Sequence, residues 1–318
     1  MKLKLLALIL AAMLVGCAAQ PFSVAPPPAH SMAQPNSIPS AQLPQQGFTR
    51  IISVGPNIAE ILVAVGAGEY IVAADELSGD VSGLREDIIF FSDFFGLDAE
   101  RLVALHPDIV FVMGMMRAGD DPFAVLEGAG IRVVEVPTAQ SFDDIKRDIA
   151  YIAEVLQEHG NTGAGTLAQS IIADMEYEIK QVRAIAENFE RPLLVYFEIE
   201  AAPHMFSFGQ GTFLNEMIEI AGGANVFADR QGWLGVSAEY VLAAAPDIIF
   251  TNVAWLDDPV AEILARPGWQ AIPAVASGRV YYISANPSSR PSHKVTQALW
   301  QMASALHQLE PQSGGVAQ

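Results

Sequence analysis

The chain has 318 residues and carries 17 Lys and Arg against 36 Asp and Glu, a formal net charge of −19. So acidic a protein is a poor partner for nucleic acid and for anionic lipid headgroups. Its length allows two domains, and its lone Cys, Cys17, excludes an internal disulfide and a structural Cys-zinc site.

The first residues, MKLKLLALILAAMLVGC, read as a secretory signal peptide: two lysines, an apolar run from Leu5 to Val15, then Gly16 and Cys17. The run is short for a membrane span. Its ending, LVGC, looks like a bacterial lipobox, in which cleavage leaves Cys17 as a lipid-bearing N-terminus; the alternative is an ordinary signal peptide with an incidental Cys. Losing Lys2 and Lys4 makes the mature chain more acidic still. Residues 18–47 are rich in Pro, and as far as Gln46 they hold no Asp, Glu, Lys or Arg. They cannot build a packed element, and coil scaling gives such a tether a reach of at least about 30 Å.

Beyond the tether, short β-branched runs alternate with helical patterns. Strands are predicted at 50–54, 70–75, 108–113, 132–136, 192–199, 247–253 and 279–283. Helices are predicted at 58–66, 99–106, 142–159, 213–222 and 295–309. A longer helix is predicted at 165–189, with Leu167, Ile171, Met175, Ile179, Val182, Ala186 and Phe189 as its apolar stripe. The expected fold is α/β: two similar lobes, each a mostly parallel sheet flanked by helices, joined by one long helix. The boundaries are 1–17 for the signal segment, 18–47 for the tether and 48–160 for the first lobe. The linking helix takes 161–190, the second lobe 191–310 and a tail 311–318.

The chain repeats itself. DAERLVALHPDIVF (98–111) aligns without a gap on SAEYVLAAAPDIIF (237–250), sharing Ala99/Ala238, Glu100/Glu239, Pro107/Pro246, Asp108/Asp247 and Phe111/Phe250. Upstream of each copy, IAEILVAVGAG (58–68) resembles LNEMIEIAGGA (214–224), each with a Glu followed by a Gly. Asp98 and Ser237 fit as helix caps, and a Glu in each first turn suits the positive end of the helix dipole.

No nucleotide loop, P-loop, nucleophile elbow or zinc-protease motif is present in the sequence, so no catalytic residue is assigned. Only His204 and His293 fall in loops at cleft positions, too few for an all-protein metal site. The loops after strand C-termini, where open α/β sheets bind ligands, carry Asn57, Met115, Arg117, Phe206, Asn286 and Arg290. Phe94 and Trp233 each precede a predicted helix. An apolar, aromatic cleft with few polar groups suits a bulky planar or chelate ligand; the same aromatics could equally be packing between lobes.

The lipobox, the tether, the doubled Pro-Asp-Ile element and the single long helix together resemble substrate-binding lipoproteins of ABC importers, in the group that binds vitamin B12, ferric siderophores or haem. GGANVFAD (222–229), GWLGVSAE (232–239), RPGWQAIPAVASGRVYYI (266–283) and NPSSRPS (286–292) carry the same resemblance, which covers residues 49–309. It implies that Glu100 and Glu239, one per lobe, dock against arginines of a permease with two halves. Toward the vitamin B12-binding members, it implies ligand contacts at Phe94 and Trp233, each six positions before a docking Glu, and at Phe206 and Arg290. Phe94 stands where a Trp is expected and Asp75 about where a Tyr is. Haem would need a Tyr or a His and Met pair; Met115, Met116 and His204 are the side chains on offer. The implied protein is a monomer, lipid-anchored outside the cytoplasmic membrane, with cobalamin or an iron chelate as ligand and no catalytic cofactor. The enzyme alternative, a secreted two-lobe hydrolase, lacks a nucleophile and base.

Overall fold

The computed structural model describes residues 50–92, 98–117, 123–189 and 191–308, all within one compact unit, Gln46–Gln318. The signal segment with Cys17, the tether, Phe94 and the tail lie outside the described residues. Among the described residues no helix is long and apolar enough to cross a membrane.

Two parallel sheets form the two lobes. The first holds β1 (Ile51–Val54), β2 (Ile71–Asp75), β3 (Ile89–Phe91), β4 (Ile109–Met113) and β5 (Arg132–Val136), in the order β3-β2-β1-β4-β5. The second holds β6 (Leu193–Glu198), β8 (Gly223–Asn225), β10 (Ile248–Thr251) and β11 (Val280–Tyr282), in the order β11-β10-β6-β8. A separate antiparallel ribbon pairs β7 (Phe206–Phe208) with β9 (Trp233–Gly235). Every residue of β1, β2 and β10 is buried, as expected when helices cover both faces of a parallel sheet. The three-residue strands β3, β7, β8 and β9 were not among the predicted strands. GAN and WLG contain no β-branched residue and no room for alternation, so the period-2 signal has nothing to act on.

The helices are α1 (Pro56–Ala64), α2 (Ala99–Ala104), α3 (Ala124–Gly128), α4 (Phe142–Glu158), α5 (Ala164–Ala186), α6 (Phe213–Ile220), α7 (Ala238–Ala244), α8 (Pro259–Ala265), α9 (Pro273–Ala276), α10 (Ala285–Ser289) and α11 (Val295–His307). Helix α5 has 23 residues and spans about 34 Å at ~1.5 Å per residue. Its fully buried side chains are Ala164, Ala168, Met175 and Val182. Leu167 and Phe189, predicted for the stripe, are exposed. Steps of four residues advance the stripe by about 40° each, so a run of such steps carries Leu167 off the buried face. The core is continuous through α5: one apolar cluster includes Ile58 and Phe111 of the first lobe, Met175 and Val182 of the helix, and Val195 and Leu299 of the second lobe.

The repeat has a structural reason in both lobes. His106 and Ala245, at matching positions, end their helices with φ of 47° and 45°, a left-handed turn that the following Pro makes final. Asp108 then accepts from Arg50 N at 3.0 Å, and Asp247 accepts from Leu194 N at 2.9 Å. Each Asp also donates its own N–H back to the same residue, at 2.8 Å in both lobes. The doubled Asp therefore fixes the register of β4 against β1 and of β10 against β6. Asp98 caps α2 with a bond from Arg101 N. Ser237 occupies the cap position of α7 but makes no side-chain cap bond; its hydroxyl bonds the Glu239 carboxylate instead.

Helix α4 buries one acid with its apolar face. Asp148 sits 5% exposed, with Asp144 and Arg147 beside it. Burial pushes its carboxyl up to about 7, with Asp144 adding to the rise and Arg147 offsetting part of it. An unfolded Asp ionises near pH ~3.9, so the folded chain keeps a proton across a window of about pH 4–7 that the unfolded chain gives up. The stability lent by that proton is complete below the window and is lost as pH rises through it. Asp148→Asn should therefore exceed the parent in stability by on the order of 4 kcal/mol at pH ~8. Urea unfolding at a series of pH values should show the gap closing on acidification; a constant gap would assign it to another cause.

Candidate functional site

The C-terminal edges of the two parallel sheets face each other, as polar bonds between them show. Glu60 of α1, in the first lobe, is 2% exposed. It accepts from Arg290 Nη1 at 3.2 Å, Lys294 Nζ at 3.2 Å and Ser292 Oγ at 2.5 Å, all in the second lobe. Arg290 also donates to Asp80 Oδ1 at 2.9 Å and to the Leu77 carbonyl at 2.8 Å, and Asn286 bonds Asp80. On the opposite margin, Phe142 N of the first lobe donates to Glu216 Oε2 of α6 at 2.7 Å. The edges are thus fastened at both margins. Between the fasteners lie the ends of β1 and β4 on one side and of β6 and β10 on the other, the place where open α/β sheets take ligands.

On the first-lobe edge, Asp75 closes β2 fully buried. It accepts from Gly55 N at 2.8 Å, Leu77 N at 3.0 Å and Ser78 Oγ at 3.0 Å. Burial pushes its carboxyl above the usual range, and these donors pull it partly back. One carboxylate thus pins the turn that opens α1 and the turn whose Leu77 carbonyl receives Arg290. Gly55 has φ 137°, and a Cβ there would stand 2.6 Å from Met113 Cγ and 3.0 Å from Asn57 Oδ1, so only Gly fits. Asn57 is buried beside it. Met115 is half-buried in the 3-10 turn that follows β4, and Arg117 is the last residue of that turn.

On the second-lobe edge the ribbon presents aromatic side chains. Phe208 pairs with Trp233, and Phe206 with Gly235. Phe208 is fully buried against Phe197, ring centroids 5.5 Å apart, and meets Trp233 edge-on at 6.1 Å. Trp233 itself is 38% exposed and Phe206 half-buried. Residues opposite each other across an antiparallel pair share a face, so a buried Phe backs two accessible rings. Beside them Trp255 Nε1 donates to Glu200 Oε1 at 3.1 Å. Asn252 donates to Ser288 at 2.9 Å and Ser289 at 3.1 Å. Below this edge the buried Glu198 holds Arg266 in a two-pronged pair at 2.6 and 2.7 Å, with Tyr196 OH donating to it at 3.1 Å.

The structure thus gathers Phe206 and Trp233 on one ribbon and Asn57 and Met115 on the facing edge. Arg290 and Asn286 stand at the margin, bonded across the lobes. Glu100 and Glu239 are both exposed, in the first turns of α2 and α7. The sequence reading passed over Glu60, Glu200, Trp255, Ser292 and Lys294. For Glu60 the signal was present: it aligns with Glu216 in the upstream repeat, and each reaches across to the other lobe.

Comparison with known proteins gives a consistent result. A family model described as periplasmic binding protein matches residues 51–287. The chain is 26% identical over 261 residues to an ABC transporter substrate-binding lipoprotein of Bacillus subtilis, a span covering 81% of this chain and 80% of that one. It is 26% identical over 262 residues to a vitamin B12-binding protein of Vibrio cholerae, covering 81% and 88%. The solved structure of a periplasmic heme-binding protein from Roseiflexus, in apo form, matches with a TM-score of 0.71 at 25% identity, covering 82% of this chain and 99% of that one.

Proposed function

Because the chain belongs to the periplasmic binding protein family, we propose that it captures a corrinoid of the vitamin B12 type between its two lobes and delivers it to an ABC permease. It performs no chemistry on the ligand. The observation that carries this reading is the ribbon, where Trp233 and Phe206 stand partly accessible over the buried Phe208 at the C-terminal edge of the second sheet. Two rings backed by a packed third suit the apolar flank of a macrocycle. The cobalamin-binding relative supports the choice of ligand. A ferric siderophore or haem in the same role is the second reading, supported by the heme-binding neighbour.

In this reading Asn57, Met115, Phe94 and Arg117 are the ligand contacts of the first lobe. Asn286 and Arg290 meet it from the margin. Cys17 carries the lipid, residues 18–47 are the tether, and the lobes (48–160 and 191–310) joined by 161–190 work as a monomer outside the cytoplasmic membrane. Glu100 and Glu239 face the two halves of the permease.

Titration of the purified protein with cyanocobalamin, haemin and a ferric hydroxamate, followed by Trp fluorescence and visible spectra, tests the reading. Cyanocobalamin should bind, and Trp233→Ala and Phe206→Ala should each weaken it by roughly 10–30-fold, the loss typical of a central aromatic contact. Undiminished binding by both variants would remove the ribbon from the site. Binding of none of the three ligands would overturn the reading.

A further inference from the structure

The aromatic ribbon has an acid built into it. Glu200 pairs with Phe206 in an antiparallel bridge, and Phe206 pairs in turn with Gly235. Side chains directly opposite across such a pair stand on the same face. The Glu200 carboxylate therefore stands beside the Phe206 ring, on the face that also carries Phe208 and Trp233. It is held there by the Trp255 indole at 3.1 Å and by the backbone N–H of Ala201. An ionised carboxylate offers about four acceptor sites, so two donors leave about half its capacity open. Glu200 is half-buried.

Among the described residues, the neighbouring Arg266, Arg290 and Lys294 are held in ion pairs. Arg266 is committed to Glu198 and Glu262. Arg290 and Lys294 are committed to Glu60, and Arg290 to Asp80 as well. Burial pushes the Glu200 carboxyl above the usual range and Glu198 adds to the rise, while Trp255, the Ala201 N–H and His204 offset part of it in favour of the ionised form. The wall formed by Phe206, Trp233, Trp255 and Glu200 is thus apolar with one acceptor-only, negative group.

We propose that Glu200 sets the charge class of the ligand: it accepts N–H bonds from an uncharged, carboxamide-fringed macrocycle and turns away ligands that present ionised carboxylates. This rests on the binding role proposed above and narrows it, because a corrinoid carries neutral amides around its rim where haem carries propionates. The acid works as a specificity device through what it repels as much as through what it binds.

The test keeps the macrocycle constant and changes one charge. Cyanocobalamin, its monocarboxylic acid derivatives (one rim amide hydrolysed) and haemin are titrated into the parent, Glu200→Gln and Glu200→Lys. The parent should bind cyanocobalamin at least about tenfold more tightly than haemin and than one or more of the monocarboxylic acids, the scale of one uncompensated charge contact. Glu200→Gln should bring those ratios to within about threefold, both by weakening cyanocobalamin, which loses a charged acceptor, and by strengthening the acidic ligands, and Glu200→Lys should invert them. Cyanocobalamin bound with the same ratios in all three proteins would overturn this inference and leave the binding role standing. A parent that prefers haemin would overturn it as well. Binding of no ligand by the parent would overturn both.

Discussion

With Glu100→Lys and Glu239→Lys combined, the protein should bind its ligand at parental affinity and deliver almost none of it. Both acids are exposed, and each opens a short helix, one per lobe, at matching positions of the repeat. The Ser237 hydroxyl holds the Glu239 carboxyl below the usual range, which favours its ionised form. Close charge pairs across a protein interface couple by about 1.5–7 kcal/mol, so reversing two of them should cut delivery by at least ~100-fold. Reversing one alone should leave partial uptake. The cost to the fold is small, because a cation in a first helical turn loses roughly 0.3–1 kcal/mol against the dipole. Uptake of labelled ligand by cells that depend on the variant, set beside the dissociation constant of the purified protein, separates the outcomes. Lost affinity or lost stability would return these acids to a purely local role in their helices.

The contrast between the two repeated Glu pairs explains what the sequence made legible. Alternating runs of β-branched and helical residues were enough for the two lobes and the long helix, because β1, β2, β4 and β10 are almost wholly buried and mostly apolar. The same logic missed β7 and β9, and with them the geometry of the site. Those strands are three residues each, and what sets their course is pairing with each other, which no local pattern reports. Phe206 and Trp233 could be singled out one by one, but not as neighbours, and Glu200 joins them only through its bridge to Phe206. The reading of Arg290 and Asn286 as plain cleft groups ran into a similar limit. Their partners, Glu60 and Asp80, lie more than two hundred residues away in the chain, and Arg290 is tied to both at 3.2 and 2.9 Å. The repeated Asp108 and Asp247 were visible from the start, yet their work as register pins appears only once Arg50 and Leu194 are beside them. One conserved-looking pattern in a duplicated chain can therefore hold residues with three different tasks: pinning strands, fastening lobes and facing outward.

The fastening pair supports the second large prediction. Glu60, Asp80, Arg290 and Lys294 form a neutral quartet, two acids against two bases, with the Glu60 side chain 1% exposed and Arg290 12% exposed. Deleting one member of a buried set is costly because it strands the opposite charge, commonly about 3–5 kcal/mol. Glu60→Leu should accordingly lower the urea midpoint by an amount equivalent to that loss. Lys294, at 31% exposed, can turn to water, and Arg290 keeps Asp80 and the Leu77 carbonyl, so the loss should fall at the low end of that range. Glu60→Leu with Arg290→Met leaves one acid and one base, Asp80 and Lys294, and should lose less than the two single variants together, by about 1 kcal/mol or more in a double-mutant cycle. Strict additivity would show that the pair does not couple the lobes. Its counterpart in the repeat gives the control: Glu216 is half-buried and holds a single backbone N–H, that of Phe142. Glu216→Gln should cost no more than about 1–2 kcal/mol. Both variants should still unfold in one transition, since the apolar core that runs through α5 joins the lobes independently of either acid.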